Sequence, residues 1–414
     1  MKTLVLNCGS STIKYKLFQM AEGRQEELVE GILERMGHPP SKHRQIWNNG
    51  ETYQGEVEVR DHRQGVEVVL EALRVHSPQS ELVDEIEAVG HRVVHGGAEV
   101  TGSVLVDESV LESLRRHSHL APLHNPPSIA GIEACRSALP KAKQAVVFDN
   151  ALHHTLPPHV YSYGLPFEMA ERQGVRRYGF HGIAFRSALE RAGEVLGGGL
   201  EDRKVITLML GSGCTANACV NGRSVEVSTG FTPLEGLVQS TRSGDVDAAA
   251  VLHLMEREGL GPGEMGEVLN RQSGLLGISG VSGDMRDIER EAARGNERAR
   301  LAIEVFVHRA RKYLGGYAAA MGGVDVVIFA GGIGLNCPRI RADICRGLEF
   351  MGLAFDEKAN GGLVGEGVIS AESSRVKVLV VEVDEELVIA RDTFQLVGSR
   401  AEDAPKGDSL PQRR

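Results

Sequence analysis

The chain has 414 residues, 42% hydrophobic and 25% charged, with 46 Lys and Arg against 56 Asp and Glu and a formal net charge of −10. That length implies two or three domains with a full core. The acidic balance argues against non-specific nucleic-acid or membrane binding, and no apolar run approaches the roughly 18 residues of a membrane span. Glycine is in excess, 50 residues without a Gly-X-Y period, which excludes collagen and points to sharp turns or close approach to a ligand.

The opening MKTLVLNCGSS has too short an apolar stretch for a secretory signal. Residues 2–7 (KTLVLN) read as a strand entering the turn Cys8-Gly9-Ser10-Ser11, with 12–18 (TIKYKLF) as its hairpin partner. Residues 62–76 have helical spacing, 85–97 (EIEAVGHRVVHGG) read as a strand ending on glycines, and 145–150 (AVVFDN) as a buried strand ending on a carboxylate. Residues 202–210 repeat the opening theme: a strand, the turn Gly211-Ser212-Gly213, and the partner strand 215–220. Residues 299–321 read as a long amphipathic helix closed by glycine. Residues 325–334 (DVVIFAGGIG) read as a buried strand entering a third glycine turn, and 376–397 as a strand, then a helix capped near Asp384. The six cysteines, Cys8, Cys135, Cys214, Cys219, Cys337 and Cys345, contain no Cys-x-x-Cys pair, which suits reduced thiols in a cytoplasm.

Two strand–glycine turn–strand hairpins far apart in the chain suggest two similar α/β domains. Ligands of such sheets bind beyond the carboxyl ends of strands. Asn7, Arg92, Asp149, Gly211 and Gly332 all stand at such ends, which points to one interdomain site.

A Gly/Ser turn leaves backbone N–H groups free to meet phosphate oxygens, and three of them favour a nucleotide-phosphate site over plain hairpins. There is no Walker A pattern, and the G-x-G-x-x-G match at Gly261–Gly266 contains Pro262 and reads as a loop. Lys14 points either to solvent or toward phosphate. His91 and His95 are spaced i,i+4, but Val93 and Val94 indicate a strand that holds the rings about 13 Å apart, too far for zinc. Arg92, a guanidinium at a strand end, suits a carboxylate or phosphate. His181, between Phe180 and Gly182, is either a packed residue or a catalytic one. Arg242 lies in a Ser/Thr/Gly loop fit for an anion. Asp284 and Arg286 read as surface charge or site residues. His153, His154, His117 and His119 read as structural, and no G-x-S-x-G elbow is present.

The segments N-C-G-S-S-T-x-K (7–14), GHRVVHGG, APLHNPP, VFDNALHHTLP, GVRRYGFHG, GFTPLEG with TRSGD, and VDEELVIAR resemble the acetate/propionate kinase family, in order, from about residue 3 to 397. The resemblance implies an α/β fold of two similar ribonuclease H-like, actin-like domains with a nucleotide cleft between them. It divides the chain into an N-terminal domain of 1–150 plus 386–400 and a nucleotide-binding domain of 151–385, while the polar residues 401–414 read as a disordered tail. The resemblance also implies ATP, Mg2+ with Mn2+ as a substitute, a homodimer, and phosphorylation of acetate or propionate to acyl phosphate and ADP. By matching position, Asn7 and Glu385 are expected at the metal, Lys14 at the ATP phosphates, and Asp149, His181 and Arg242 in catalysis. Arg92 is expected to bind the carboxylate, and Val94, Leu123, Phe180 and Pro233 to line a small pocket for the acyl methyl. Met209, Leu210, Gly211, Ser212 and Gly213, with Asp284, Met285 and Arg286 and with Gly332, Ile333, Gly334, Leu335 and Asn336, match the nucleotide-binding stretches.

Three motifs depart from the family pattern. H-x-G-N-G reads Met209-Leu210-Gly211-Ser212-Gly213, F-H-G-T-S-H reads Phe180 through Phe185, and G-I-G-E-N reads Gly332-Ile333-Gly334-Leu335-Asn336. Methionine cannot donate the hydrogen bond of the histidine it replaces. Slower turnover is therefore expected, and Met209→His is expected to raise kcat. A carboxylic acid of pKa about 4 is already ionised at neutral pH, so the acceptor needs no general base and Asp149 is expected to orient the metal shell or a cation. A different acid or phosphoryl donor, or a nucleotide-binding homologue with weakened catalysis, stays open at this point.

Overall fold

The structure is a computed structural model that describes residues 1–77, 82–99, 101–122 and 124–398. Leu123 and the expected tail 401–414 lie outside the described residues. The chain divides into two compact units. The first is Met1–Ala151 with the C-terminal stretch beginning at Glu385, and the second is Leu152–Asp384.

The first unit is built on β1 Lys2–Cys8, β2 Thr12–Ala21, β3 Arg24–Glu34, β4 Ser41–Trp47, β5 Thr52–Val57, β6 Ile86–Val93, β7 Val104–Leu105 and β8 Lys143–Phe148. They form one sheet in the order β5-β4-β3-β2-β1-β6-β8-β7. β1 is antiparallel to β2 and parallel to β6, and β6 is parallel to β8. A strand with parallel neighbours is covered on both faces, which is why β1 and β8 are nearly continuous apolar runs. Leu4, Leu6 and Val89 face one core together with Leu70 and Leu73 of the helix His62–Val75 and Cys135 of the helix Asn125–Ala138. The opposite face is covered by the helix Glu385–Gly398. It comes so close that a Cβ on Gly90 would lie 2.5 Å from Thr393 Oγ1.

The second unit holds β9 Lys204–Leu210, β10 Cys214–Val220, β11 Arg223–Val227, β12 Val326–Ala330, β13 Gly367–Val368 and β14 Lys377–Val380, in the order β11-β10-β9-β12-β14-β13. Alternate residues of β9 face two cores. Ile206, Leu208 and Leu210 meet the helix Glu297–Met321, while Val205 and Met209 meet the helix Gly182–Leu196. The run β11-β10-β9-β12-β14 repeats β3-β2-β1-β6-β8, an antiparallel meander extended by two parallel strands. The duplication suggested by the two hairpins is present as shared topology.

The structure refines the expectations at three places. Residues 24–57, unassigned by pattern, form β3, β4 and β5; β4 alternates buried and exposed positions, but its buried Ser41, His43 and Gln45 are polar, so the sequence shows no apolar alternation there. β6 stops at Val93 because the next residues bond to side chains rather than to a strand. The glycine turn expected after β12 takes the form of a short helix, Gly331–Asn336. Gly331 opens it at φ +77°, where a Cβ would sit 2.7 Å from the Leu210 carbonyl oxygen. No described helix is long and apolar enough to cross a membrane.

Candidate active site

The first set of site residues stands at the carboxyl ends of β1, β6 and β8. The parallel register brings Asn7, Arg92 and Asp149 to the same edge of the sheet. The Asp149 N–H donates to the Val93 carbonyl at 2.9 Å, which carries the ladder one residue past β8. Arg92 forks between two carboxylates, with Nη2 2.6 Å from Asp149 Oδ2 and Nη1 3.3 Å from Glu385 Oε2. Burial opposes its charge, but Asp149 and then Glu385 outweigh that and hold the guanidinium more firmly protonated than usual. Arg92 Nε and Asp149 Oδ1 are buried without a hydrogen-bond partner among the described residues. Such atoms commonly mark a place where a ligand or ion completes the bonding.

Two asparagines fix the loop beyond Arg92. Asn125 Oδ1 accepts from His95 N at 3.2 Å and its Nδ2 donates to His95 O at 2.8 Å. Asn150 Oδ1 accepts from Gly96 N at 3.2 Å and its Nδ2 donates to Gly97 O at 3.1 Å. Val94, between them and Arg92, is half-buried. Lys14 pairs across the hairpin with Asn7 and is exposed, on a shallow cavity of about 270 Å³ shared with Arg44 and Glu386.

The second set surrounds the turn after β9. His181 precedes the helix Gly182–Leu196 at φ 61°, a left-handed conformation that costs a non-glycine residue energy and persists only where its surroundings enforce it. Its Nδ1 lies 2.9 Å from Thr215 Oγ1. A Cβ on Gly213 would approach His181 Cε1 to 3.2 Å, so the glycine makes room for the ring. Phe180 is buried, with its N–H donating to Thr229 Oγ1 at 3.0 Å and its carbonyl 3.0 Å from His153 Nε2. Gln239 links three parts of this set. Its Nε2 donates to Pro233 O at 2.8 Å, and its Oε1 accepts from Cys214 N and from Arg242 Nη1, each at 3.3 Å. Burial disfavours the charge on Arg242, which has no carboxylate beside it among the described residues. The Ser240 N–H donates to Ser212 O at 3.1 Å, tying the Arg242 loop to the glycine turn.

The glycine segments meet: a Cβ on Gly211 would lie 3.7 Å from Gly332 N. Leu210, Met285 and Ile333 belong to the core, so at those positions only backbone is offered to a ligand. Met209 is 6% exposed in the same apolar cluster as Phe185. Asp284 caps the helix Met285–Ala293 and is forked by Arg286 at 2.6 and 3.0 Å, which pulls its carboxyl down to about 2. Asn336 turns back to Gly332 O at 2.9 Å, and Leu335 packs partly on the core.

Four supporting residues escaped the sequence reading. They are Asn125, Gln239, Arg177 and Arg341. Arg177 Nη1 donates to the carbonyls of Val227, Ser228 and Thr229 at 3.0, 3.2 and 3.1 Å, and its other end pairs with Glu235. Arg341 is 1% exposed, and its Nη1 donates to Gly334 O at 2.8 Å and Leu335 O at 2.6 Å. Each makes several of its bonds to backbone groups that the fold brings near, for which the sequence carries no local signal.

A profile described as the Acetokinase family matches residues 2–391. An acetate kinase of Heliobacterium modesticaldum is 46% identical over 401 residues, covering 96% of this chain and 100% of the relative. A crystal structure of Porphyromonas gingivalis acetate kinase superposes with TM-score 0.89 at 45% identity, covering 96% of this chain and 99% of that one. A propionate kinase structure from Francisella tularensis gives TM-score 0.88 at 35% identity, covering 95% and 99%.

Proposed function

The chain belongs to the acetokinase family, and from that premise we propose that it transfers the terminal phosphoryl group of ATP to acetate, reversibly, giving acetyl phosphate and ADP. Relatives similar over nearly the full length carry the name acetate kinase, which favours this reading over a degraded nucleotide binder. The similarity to a propionate kinase supports propionate as a second acid. The observation that carries the reading is Arg92: a half-buried guanidinium held by Asp149 and Glu385, whose Nε has no partner among the described residues.

In this reading Arg92 binds the acceptor, and Val94, Phe180 and Pro233 border its methyl group, with Leu123 assigned by family position alone. The acceptor is already ionised, so Asp149 removes no proton. It fixes Arg92 and turns its unpartnered Oδ1 toward the reacting groups. His181 and Arg242 stabilise charge on the transferred phosphoryl, and Lys14 meets the nucleotide phosphates. In-line transfer depends on such positioning and charge more than on covalent help. Backbone at Gly211, Ser212, Gly213, Gly332 and Gly334, with Asp284, Arg286 and Asn336, receives the nucleotide. Asn7, Asp149 and Glu385 offer the hard oxygen donors that Mg2+ or Mn2+ accepts beside retained waters, so the residues present fit the ion. When bound, the ion would neutralise phosphate charge.

The helix Ala248–Glu258 has no buried residue, while Leu252 and Phe167 are each 66% exposed. These apolar groups support a homodimer. All six cysteines are unpaired buried thiols, which supports a cytoplasmic location. The deciding experiment is acetate-dependent ADP formation with hydroxylamine trapping of the acyl phosphate, run beside propionate and butyrate. Hydroxamate should form with acetate, less with propionate and least with butyrate. ADP release without hydroxamate would reject the assignment.

A further inference from the structure

We propose that the cavity walled by the helices Glu297–Met321 and Pro338–Cys345 binds a small polyanion, a molecule with two or more carboxylate or phosphate groups, and that its occupancy is felt at the turn Gly331–Asn336. The cavity measures about 800 Å³, within the range of small-molecule sites. No residue assigned above to substrate, metal or nucleotide lines it.

Its wall carries four arginines and His308 against three carboxylates, a positive excess on a chain of net charge −10. Arg339 and Arg346 share Asp343 at 3.6 and 2.9 Å, so that carboxylate is already covered. Arg311 is half-buried and Arg300 exposed, and neither makes an ion pair or side-chain hydrogen bond among the described residues. The remaining carboxylates, Glu304 and Glu357, are exposed on the wall, where water screens them. Ile303, Val307 and Ala342 supply apolar floor between the cations. Guanidinium groups separated by an apolar floor suit an anion with charges at both ends of a short carbon frame.

The link to the turn is a chain of hydrogen bonds. Asn360 and Pro338 line the cavity, and Asn360 Nδ2 donates to Pro338 O at 2.9 Å. Asn360 Oδ1 accepts from Arg341 Nε at 2.7 Å, and its carbonyl accepts from Arg341 Nη2 at 3.2 Å. The same guanidinium holds the carbonyls of Gly334 and Leu335. A ligand that shifts Asn360 therefore shifts the turn through one rigid fork. This coupling rests on the nucleotide assignment of residues 332–336; the site itself does not.

The test is calorimetry on the full chain with ADP present, using tricarballylate and propane-1,3-diyl bisphosphate as separate probes, followed by the ATP KM with and without each probe. One probe should bind at one site per chain, and which one does identifies carboxylate or phosphate as the preferred group. The double variant R300Q/R311Q should weaken binding by about tenfold or more and abolish the KM shift. Arg341→Lys should keep probe binding and lose the KM shift, a separation that a purely structural role would not produce. Failure of both probes to bind, or binding that R300Q/R311Q leaves unchanged, overturns the site. Binding that depends on Arg300 and Arg311 but leaves the ATP KM unmoved overturns the coupling alone.

Discussion

Arg92 holds two carboxylates, and in the proposed reaction it would meet a third, so its planar fork matters more than its charge. Arg92→Lys keeps the charge and loses the fork. We expect kcat/KM for acetate to fall about 10- to 100-fold, the cost of one charge-assisted bond, with a smaller change in the ATP KM. Steady-state kinetics with each substrate varied will check it; equal losses for both would argue for general damage. The substitutions at Met209 and Phe185 have to be considered together. The sequence alone suggested that Met209→His would speed turnover. In the fold Met209 is buried with Phe185, Ala184 and Ala330, so a lone histidine there enters an apolar cluster. We now expect Met209→His to destabilise the protein by about 1–3 kcal/mol without raising kcat. The double change M209H/F185H should recover stability and raise kcat. Thermal melts and single-turnover rates separate the two outcomes. Arg92, Asp149 and His181 were legible because they sit beside glycine turns or strand ends, where short motifs are informative. Gln239 and Arg341 were not, because most of their partners are backbone groups and an amide that the folded chain brings near.

At the scale of elements, both hairpins were readable from apolar runs bounded by Gly and Ser. The glycine turn after β12 was readable too, but its helical form was not, since Gly-Gly-Ile-Gly fits a bare turn as well as a helical start. Its helical direction follows from tertiary contact: Gly331 lies against the Leu210 carbonyl at positive φ. Gly331→Ala forces both a strained backbone and a clash. A loss of about 1–3 kcal/mol in stability and a raised ATP KM are expected, while the acetate KM stays within about twofold. Strands β3 to β5 were invisible because their pairing, not their residue preference, makes them strands.

At the scale of the molecule, the first unit buries three histidines as neutral rings. Burial pushes His43 and His91 down to about 4 and His95 to about 3, with nearby histidines adding to the effect at His43 and His95. Their unfolded value is about 6.5, so the unfolded chain takes up more protons below it and stability falls as pH drops from about 6.5 toward 4. Melting at pH 7.5 and 5 should show a loss of the order of 1–2 kcal/mol per histidine, removed in part by His91→Gln. An unchanged melting point would mean these rings are not buried neutral. For the exposed helix Ala248–Glu258, Leu252→Glu should move the protein from dimer to monomer in sedimentation at micromolar concentration. A wild-type protein that already sediments as a monomer would remove the homodimer from the reading.

The helix Glu385–Gly398 belongs to the first unit, yet it is made after all of the second. Domains usually complete themselves in the order in which they leave the ribosome. Here the order is inverted: the inserted unit can finish while the unit around it still waits for a helix to cover Gly90. Glu385 arrives on that same helix, so the grip on Arg92 cannot close on a growing chain. A chain cut short before Glu385 leaves the Gly90 face of its first sheet uncovered.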